Sequence, residues 1–394
     1  MRNVPGVQPR IDSPLRVTAG ASAVTVLAML PVFLVGALAV LIRSELGFNE
    51  AALGIAVAGY FLMSSLASIP GGLLSDRVGA RPVILLAGVG TITALVGIAA
   101  FTTSWSILAL LLLLAGVSGG VAQPAANLLL AQGVGAARQG LAFGAMKAAA
   151  PTATLLAGAA VPALGLTVGW RWAFAFACVV GLLALIIVGP TRCRARDQRP
   201  SPRRRTRTSP ALKVLAVALG CASIGVTCLS VFFVESAVRT GVDLSVAGTL
   251  LAVSSAVGVA ARILVGWFAD RHGRRFLVGV AVLLVAACVG SALLAFADGT
   301  ATVALAAVIG FGPGWAWPGL LNLAVVRHNR NAPATAIGVI QTGGHFGAVI
   351  GPPIFGALVA ATSFRIAWTF SAAVTLAAAV LVVVGREMLE RGSG

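Results

Sequence analysis

The chain has 394 residues, of which 59% are hydrophobic and only 10% charged, and its 28 basic residues against 11 acidic ones give a formal net charge of +17. Soluble proteins carry about a quarter charged residues, so this composition excludes an ordinary soluble domain. A basic excess is also typical of nucleic-acid-binding proteins. Here, however, the charges lie between apolar runs, without the stacking or base-reading residues that such binding needs, and we expect no nucleic-acid partner.

Apolar runs of about 20 residues, long enough to cross a bilayer as helices, recur along the whole chain. The first follows Arg2, Arg10 and Arg16 and is longer than the apolar segment of a cleaved signal peptide, so we interpret it as a spanning helix. The predicted fold class is an all-α integral membrane protein. Its predicted membrane helices 1 to 12 cover, in order, residues 18–42, 51–74, 83–102, 105–128, 140–163, 170–189, 212–234, 247–269, 276–297, 300–323, 335–360 and 364–385.

Basic residues are distributed unequally between the two sides of this predicted array. With twelve spans both termini lie on one side, and that side holds most of the 28 lysine and arginine residues. Because basic residues concentrate in cytoplasmic loops, we expect both termini to be cytoplasmic. The opposite gaps hold only Arg43, Arg171, Arg239 and Arg365.

A charged ten-residue pattern, G-x-x-x-D-R-x-G-x-R, occurs twice, nearly half the chain length apart. Gly72–Arg81 reads GLLSDRVGAR and Gly266–Arg275 reads GWFADRHGRR. Other residues are repeated at the same offset without a gap, and such a continuous register predicts a duplicated architecture. These pairs are Gly47 and Gly241, Gly54 and Gly248, Gly116 and Gly310, Gly120 and Gly314, Pro124 and Pro318, Gly144 and Gly338, Arg171 and Arg365, and Phe176 and Phe370.

The duplication predicts two six-helix domains, residues 1–189 and 211–394, joined by a linker at 190–210 that is rich in Arg, Pro, Ser and Thr. The charge of the linker is typical of segments attracted to anionic lipid. A solvated connector on the cytoplasmic side is the simpler interpretation.

No pattern in the sequence is typical of an enzyme. Four of the five cysteines lie in apolar runs, the three histidines are scattered and acids are few, so no cluster of nucleophile, base or metal ligands can be assembled. We expect no catalytic activity, no metal and no cofactor.

Twelve predicted spans, with the Gly72–Arg81 pattern between helices 2 and 3 and its copy between helices 8 and 9, resemble the major facilitator superfamily of secondary transporters. The resemblance covers nearly the whole chain. It implies a monomer in the lipid bilayer, with two pseudo-symmetric six-helix bundles around a central small-molecule site that opens alternately to each side.

The resemblance also implies that the repeated pattern is a cytoplasmic gate. Glycine allows close helix approach and a carboxylate can meet the positive N-terminus of a neighbouring helix, here helix 11 or helix 5. Glycine at the turn suits a positive φ, and the arginines can pair with the carboxylates or with lipid phosphates. The alternative is that the pattern serves only loop topology and membrane insertion. The predicted gate residues are Gly72, Asp76, Arg77, Gly79, Arg81, Gly266, Asp270, Arg271, Gly273 and Arg275.

Two basic residues, Lys147 and Arg262, fall inside predicted helices 5 and 8. A charge inside a bilayer is costly and normally faces protein or water. Both lie seven residues from the cytoplasmic end of their predicted helix, roughly 10 Å deep at about 1.5 Å per residue. The resembled fold places helices 5 and 8 side by side, so we expect the pair to flank an anionic substrate, with Arg262 gripping a carboxylate at two points.

A structural role is the alternative for this pair: Lys147 would extend to the interface, and Arg262 would brace loop carbonyls or Asp270. With an arginine in helix 8, the chain is similar to monocarboxylate and related organic-anion carriers. The repeat places Gln341 at the position of Lys147, and His345 lies one turn beyond it. A histidine titrates near neutral pH, so His345 is a candidate for a coupling proton, or else a polar residue packed between helices. Glu45 and Glu235, near outer helix ends, are expected to be solvated.

Helices 4 and 10 carry prolines, glycines and polar side chains that are similar to the interrupted helices lining transporter cavities. Amides there can hydrogen-bond a substrate and tryptophans can wall it, or these side chains can serve helix packing alone. The candidates are Gln123, Asn127, Trp315 and Asn322, with Tyr60 of helix 2 as a further residue along the path.

We therefore expect a carrier of a small anion, organic or inorganic, that is coupled to protons in a bacterial inner membrane. Efflux of neutral or amphipathic drug-like compounds is the alternative. Drug exporters of the superfamily carry an arginine four residues before a glycine in helix 4, but Leu112 precedes Gly116 here. Helices 1 and 4 also lack an acid that could hold a cationic drug.

Overall fold

The computed structural model describes residues 13–188, 209–272, 276–329 and 333–391, with only the backbone described for 136–141, 269–272 and 333–334. The predicted linker at 190–210 lies almost wholly outside these ranges, as do Arg2 and Arg10. The domain limits therefore stay a prediction.

The described residues form twelve helices long and apolar enough to cross a membrane, which confirms the predicted spans. The helices of the first half are Pro14–Ala37 continued by Ala39–Leu46, Glu50–Val78, Ala80–Phe101, Trp105–Gly133, then Ala136–Lys147 with Ala149–Ala160 and π-helical Val161–Gly165, and Trp170–Val188. Those of the second half are Pro210–Arg239, Leu244–His272, Phe276–Ala295, then Thr300–Phe311 with 3-10 Pro313–Trp315 and Trp317–His328, and finally Pro333–Ala361 and Phe364–Arg391. We number these membrane helices 1 to 12. The side on which Pro14 and Arg391 lie is called the terminal face, and the other side the opposite face.

The repeat is visible in the turns that end helices 1 and 7. Gly47 and its counterpart Gly241 both have a positive φ, 67° and 86°. Such backbone favours glycine, because a Cβ clashes there. Equivalent sequence positions thus adopt equivalent conformations.

Buried apolar side chains are divided differently at the two faces. Near the opposite face, one core draws residues from all twelve helices, including Phe33, Val57, Phe232 and Trp368. Near the terminal face there are two separate cores. One contains first-half residues such as Ala87 and Leu129, and the other contains second-half residues such as Leu219 and Leu284. The two bundles are therefore joined at the opposite face and separated at the terminal face.

Glycines explain how tightly the opposite-face seams close. A Cβ added to Gly36 of helix 1 would lie 2.8 Å from Cα of Val231 in helix 7, and one added to Gly158 of helix 5 would lie 2.6 Å from the Ala252 nitrogen in helix 8. Only a hydrogen at these positions permits such an approach.

Toward the terminal face, three glycines border open space. A Cβ added to Gly144, Gly266 or Gly338, in helices 5, 8 and 11, would meet no atom of the described chain within 4 Å. The seams that are sealed at one face are thus open at the other.

Candidate functional site

Helix 5 is interrupted at the level of its basic residue. One α-helical segment ends at Lys147 and the next begins at Ala149. The residue four positions after Lys147 is Pro151, which has no backbone N–H to donate to the Lys147 carbonyl. That carbonyl is consequently available to a donor from another helix.

Helix 10 has a similar interruption. Its first segment ends at Phe311, a short 3-10 turn ends at Trp315, and the α-helix restarts only at Trp317. The Trp315 carbonyl precedes the new helix, and Pro318, three residues on, has no N–H for a 3-10 bond. A second backbone acceptor is thereby exposed.

Arg262 of helix 8 binds both of these carbonyls. Its Nε donates to the Trp315 oxygen at 3.0 Å, and its Nη1 donates to the Lys147 oxygen. The guanidinium carbon also lies 5.7 Å from the centroid of the Trp315 ring. The expected proximity of Lys147 and Arg262 is confirmed, with Arg262 bracing backbone carbonyls. The other expected partner, the Asp270 side chain, lies outside the described part of the chain.

The charged ends of both basic residues retain unused hydrogen-bond donors. The Lys147 ammonium has no acceptor, and Arg262 Nη2 has no partner, among the described residues, yet neither atom is sealed from solvent. In that part of the chain, neither residue forms an ion pair with a carboxylate. Two basic groups without a carboxylate partner among the described residues therefore lie within the membrane helices.

His345 of helix 11 is exposed and interacts electrostatically with Lys147 of helix 5. The two residues belong to different bundles, so this interaction acts across the interface between them. Gln341, one turn from His345, is half-buried, and its amide has no partner within the described ranges. The structure thus brings Lys147 and Arg262 into contact, and the inclusion of His345 in one site with them stays a prediction.

Three amides predicted on helices 4 and 10, those of Gln123, Asn127 and Asn322, are half-buried. None makes a hydrogen bond to another described residue, and none of their polar atoms is enclosed. They therefore remain available to a bound molecule or to water.

Tyr60 and Trp315 lie in the core instead of facing the central space. Tyr60 is 3% exposed and its hydroxyl donates to the Ala28 carbonyl at 2.7 Å. Trp315 is 1% exposed, and its indole nitrogen has no partner among the described residues. In this arrangement the tyrosine packs helix 2 against helix 1, and the tryptophan supports Arg262.

The first copy of the predicted gate is partly as expected. Gly79 ends helix 2 with φ 93°, which confirms the turn, and Asp76 and Arg77 are exposed on the terminal face. The close helix approach occurs one residue earlier than expected, since a Cβ on Gly71 would lie 2.7 Å from the Val121 Cα, whereas Gly72 has only ordinary contact.

Asp76 makes no ion pair with a described residue. In the second copy, Gly266 borders open space. Gly273 and Arg275 lie outside the described residues, and only the backbone is described for Asp270 and Arg271. Arg81 of the first copy is exposed. The role of these residues as a cytoplasmic gate remains a prediction.

Sequence reasoning missed a charge network at the opposite face. Arg43 of helix 1 bonds Glu50 of helix 2 at 2.8 Å and also pairs with Glu235 of helix 7, while Arg239 reaches Glu50 at 3.1 Å. Two acids and two bases therefore tie the bundles together. The sequence does contain a signal for this network, because acidic residues are scarce in this chain and these acids and bases fall on the same predicted side of the membrane.

The expectation that Glu235 is solvated is wrong. Glu235 is 2% exposed, because its stretch of helix 7 enters the core shared by both bundles. Glu45 is exposed, but it pairs with Arg171 at 2.6 Å and accepts a bond from the Trp170 indole at 2.7 Å. The bonds from Arg171 and then Trp170 hold the pKa of the Glu45 carboxyl below its ordinary value.

A family model described as the Major Facilitator Superfamily matches residues 21–216 and again 215–392. The chain belongs to the major facilitator superfamily. It is consequently a multi-pass membrane transporter of a small molecule and not an enzyme.

Among its relatives is a protein of Agrobacterium vitis named "Putative tartrate transporter", which is 27% identical over 390 residues, covering 89% of this chain and 85% of that protein. A bacterial homolog of the human lysosomal transporter Spinster, solved inward-facing and occupied, matches with a TM-score of 0.73 at 17% identity, over 97% of both chains. A D-xylose-proton symporter matches with a TM-score of 0.74 at 15% identity, over 93% of this chain and 97% of that one. The two structures bear on the fold alone.

Proposed function

We propose that this transporter carries a small organic anion across the cytoplasmic membrane, together with protons. The observation that carries the proposal is the pair of basic groups on Lys147 and Arg262, which face accessible space without a carboxylate among the described residues. An anion between them would supply the missing countercharge.

Electrostatics and hydrogen bonding both favour a carboxylate. A charge-assisted bond to a carboxylate is shorter and roughly twice as strong as one between neutral groups. The free amides of Gln123, Asn127 and Asn322 suit hydroxyl groups on the same molecule, because an amide both donates and accepts. Tartrate, an anion with two carboxylates and two hydroxyls named for the Agrobacterium vitis relative, is therefore the first compound to test.

The charge distribution supports assigning the terminal face to the cytoplasm. The separated cores at that face then make this arrangement open to the cell interior, and the core shared by all twelve helices closes the exterior. In this orientation an anion at Lys147 leaves toward the cytoplasm.

Proton coupling is proposed for His345. A proton on its imidazole adds a positive charge facing Lys147, so the protonated form binds an anion more tightly than the neutral form. Proton and anion binding are then mutually favourable, which is the linkage that a symporter needs.

The test is tartrate uptake into proteoliposomes, together with binding screens of anionic, neutral and cationic compounds. Lys147→Ala and Arg262→Ala should each reduce tartrate uptake at least tenfold, because each removes a countercharge worth about 1.5–3 kcal/mol. Lys213→Ala and Arg365→Ala, at exposed positions, are the matched controls and should retain uptake.

Undiminished uptake in both site variants would contradict the anion proposal. So would binding of neutral or cationic compounds in preference to every anion, which would favour efflux of drug-like molecules instead.

A further inference from the structure

One hydrogen bond at the candidate site crosses between the two bundles. Arg262 and Trp315 belong to helices 8 and 10 of the second bundle, so the bond between them stays within that bundle. Lys147 belongs to helix 5 of the first bundle, and its carbonyl accepts from Arg262 Nη1. This second bond can persist only while helices 5 and 8 stay as they are here.

The acceptor of that cross-bundle bond exists because of Pro151. Any other residue at position 151 would offer an N–H to the Lys147 carbonyl, as in an ordinary helix. Ala148, the residue at the interruption, has φ −75° and ψ −3°, within the right-handed helical region. Only a small adjustment is therefore needed to restore the bond once a donor is present.

Pro151 also lies at the seam itself. A Cβ added to Gly258, one turn from Arg262 on helix 8, would be 3.8 Å from Cβ of Pro151, which is ordinary contact. The proline therefore lies against helix 8, one turn from the arginine whose acceptor it exposes.

We propose that Pro151 is a positioning residue that lowers the affinity of this transporter for its anion in the arrangement seen here. The proposal rests on the function proposed above. The exposed Lys147 carbonyl occupies Nη1 of Arg262, so a carboxylate that uses this donor must first displace the carbonyl. In an arrangement with helices 5 and 8 apart, the carbonyl is absent and the carboxylate binds without competition.

The consequence is directional. A ligand shifts a conformational equilibrium only by its difference in affinity for the two states. Competition from the Lys147 carbonyl weakens binding where the site is open to the terminal face, and so promotes release there. Displacement of the carbonyl by an anion also removes a bond between the bundles, which favours their rearrangement.

Pro151→Ala tests this inference. The new N–H should bond the Lys147 carbonyl within helix 5 and leave Nη1 of Arg262 to the ligand. With tartrate as the probe, we expect about three- to tenfold tighter binding, the range for replacing one neutral hydrogen bond. Turnover should fall while KM also falls, because release becomes slower. A purely structural role of the proline would weaken binding or leave it unchanged.

Two further variants secure the interpretation. Pro31→Ala, at a proline inside helix 1, is the matched control and should not tighten binding. In the double variant Pro151→Ala/Arg262→Ala the tightening should vanish, because Pro151 acts through Arg262. Unchanged or weaker tartrate binding by a folded Pro151→Ala protein would overturn the inference.

A ligand-free measurement separates this inference from the proposed function. Spin labels at Val168 and Val246, exposed positions near the opposite-face ends of helices 5 and 8, report the distance between the bundles. In a background without native cysteines, Pro151→Ala should shift the distances toward separation. If tartrate does not bind at all but this shift occurs, the anion proposal fails and the cross-bundle bond stands. If the distances do not change, the role assigned to Pro151 is rejected.

Discussion

Few charged residues lie within the membrane helices of this transporter, so each of them is a candidate for its chemistry. Lys147 and Arg262 are placed where a charge is costly, and the described chain offers Arg262 two backbone carbonyls and neither residue a carboxylate. His345 is a titratable group that interacts electrostatically with Lys147. At the scale of single residues, the candidate site is therefore an incomplete charge balance, which the proposed anion and proton would complete.

This balance makes a prediction for His345→Gln. Tartrate binding by the natural protein should tighten as the pH falls, because the imidazole gains its proton and adds to the positive charge of Lys147 and Arg262. The glutamine variant should bind with little dependence on pH. Calorimetry at several pH values measures the effect.

The test has a matched control, His328→Gln, on helix 10, whose Nδ1 lies 2.8 Å from the Ala324 carbonyl and which should keep the natural pH profile. A pH profile that is the same in His345→Gln as in the natural protein would remove His345 from the proposed coupling.

At the scale of helices, interruptions and charged ends determine which elements are tied together. The breaks at Lys147 and Trp315 let helix 8 bond helices 5 and 10 through one side chain. At the opposite face, Arg43 and Glu50 tie helices 1 and 2 to Glu235 of helix 7. Helices 5 and 8 are thus tied within the membrane-spanning region, and helices 1, 2 and 7 at the opposite face.

Removing one charge from the opposite-face network should loosen it. Glu235→Gln leaves Arg43 with Glu50 and the Phe48 carbonyl as its partners, and leaves the buried cluster with an excess positive charge. We expect a loss of about 1–3 kcal/mol in the stability of the closed face, because one partner of a buried pair is gone. Thermal unfolding and water accessibility of residues at that face measure it.

An exposed pair provides the control for this prediction. Glu45→Gln removes the partner of Arg171 at the surface and should cost no more than about 1 kcal/mol. The double variant Arg43→Gln/Glu235→Gln should be less destabilised than the sum of its single changes. If Glu235→Gln and Glu45→Gln reduced stability equally, burial of Glu235 would not increase the contribution of its ion pair to stability.

The whole molecule is asymmetric across the membrane. One core spans all twelve helices near the opposite face, and two separate cores stand near the terminal face. Alternating access requires that this asymmetry reverse. The glycines that seal the opposite face, such as Gly36 and Gly158, are therefore the positions where a side chain would act on the whole equilibrium.

Helix 5 offers an internally controlled test of this asymmetry. In Gly158→Ala the new Cβ would lie 2.6 Å from the Ala252 nitrogen, so closure of the opposite face should be disfavoured and the bundles should separate there. Gly144→Ala, on the same helix, meets no described atom within 4 Å and should instead stabilise the helix by about 0.5–1 kcal/mol. Labelling of cysteines introduced at the opposite face distinguishes the two variants, and equal labelling of both would contradict the prediction.

Much of this architecture is predictable from the sequence, because local sequence patterns indicate bilayer spans and repeats. The apolar runs predicted twelve helices, the repeat predicted equivalent turns such as Gly47 and Gly241, and the rarity of intramembrane charges singled out Lys147 and Arg262. The sequence interpretation of Tyr60 as a path-lining residue depended on helix rotation, which composition does not specify. In the structure its hydroxyl is bonded to Ala28.

Partners across the seams were decided only by the tertiary structure. The proline after Lys147 is visible in the sequence, but the side chain that reaches the freed carbonyl depends on how helices 5 and 8 cross. Likewise, Glu235 lies near a helix end in the sequence and is buried because two bundles meet around it. Local pattern thus determined the elements and their charges. Long-range packing decided which charges are paired, which stay open to a substrate and which face of the molecule is closed.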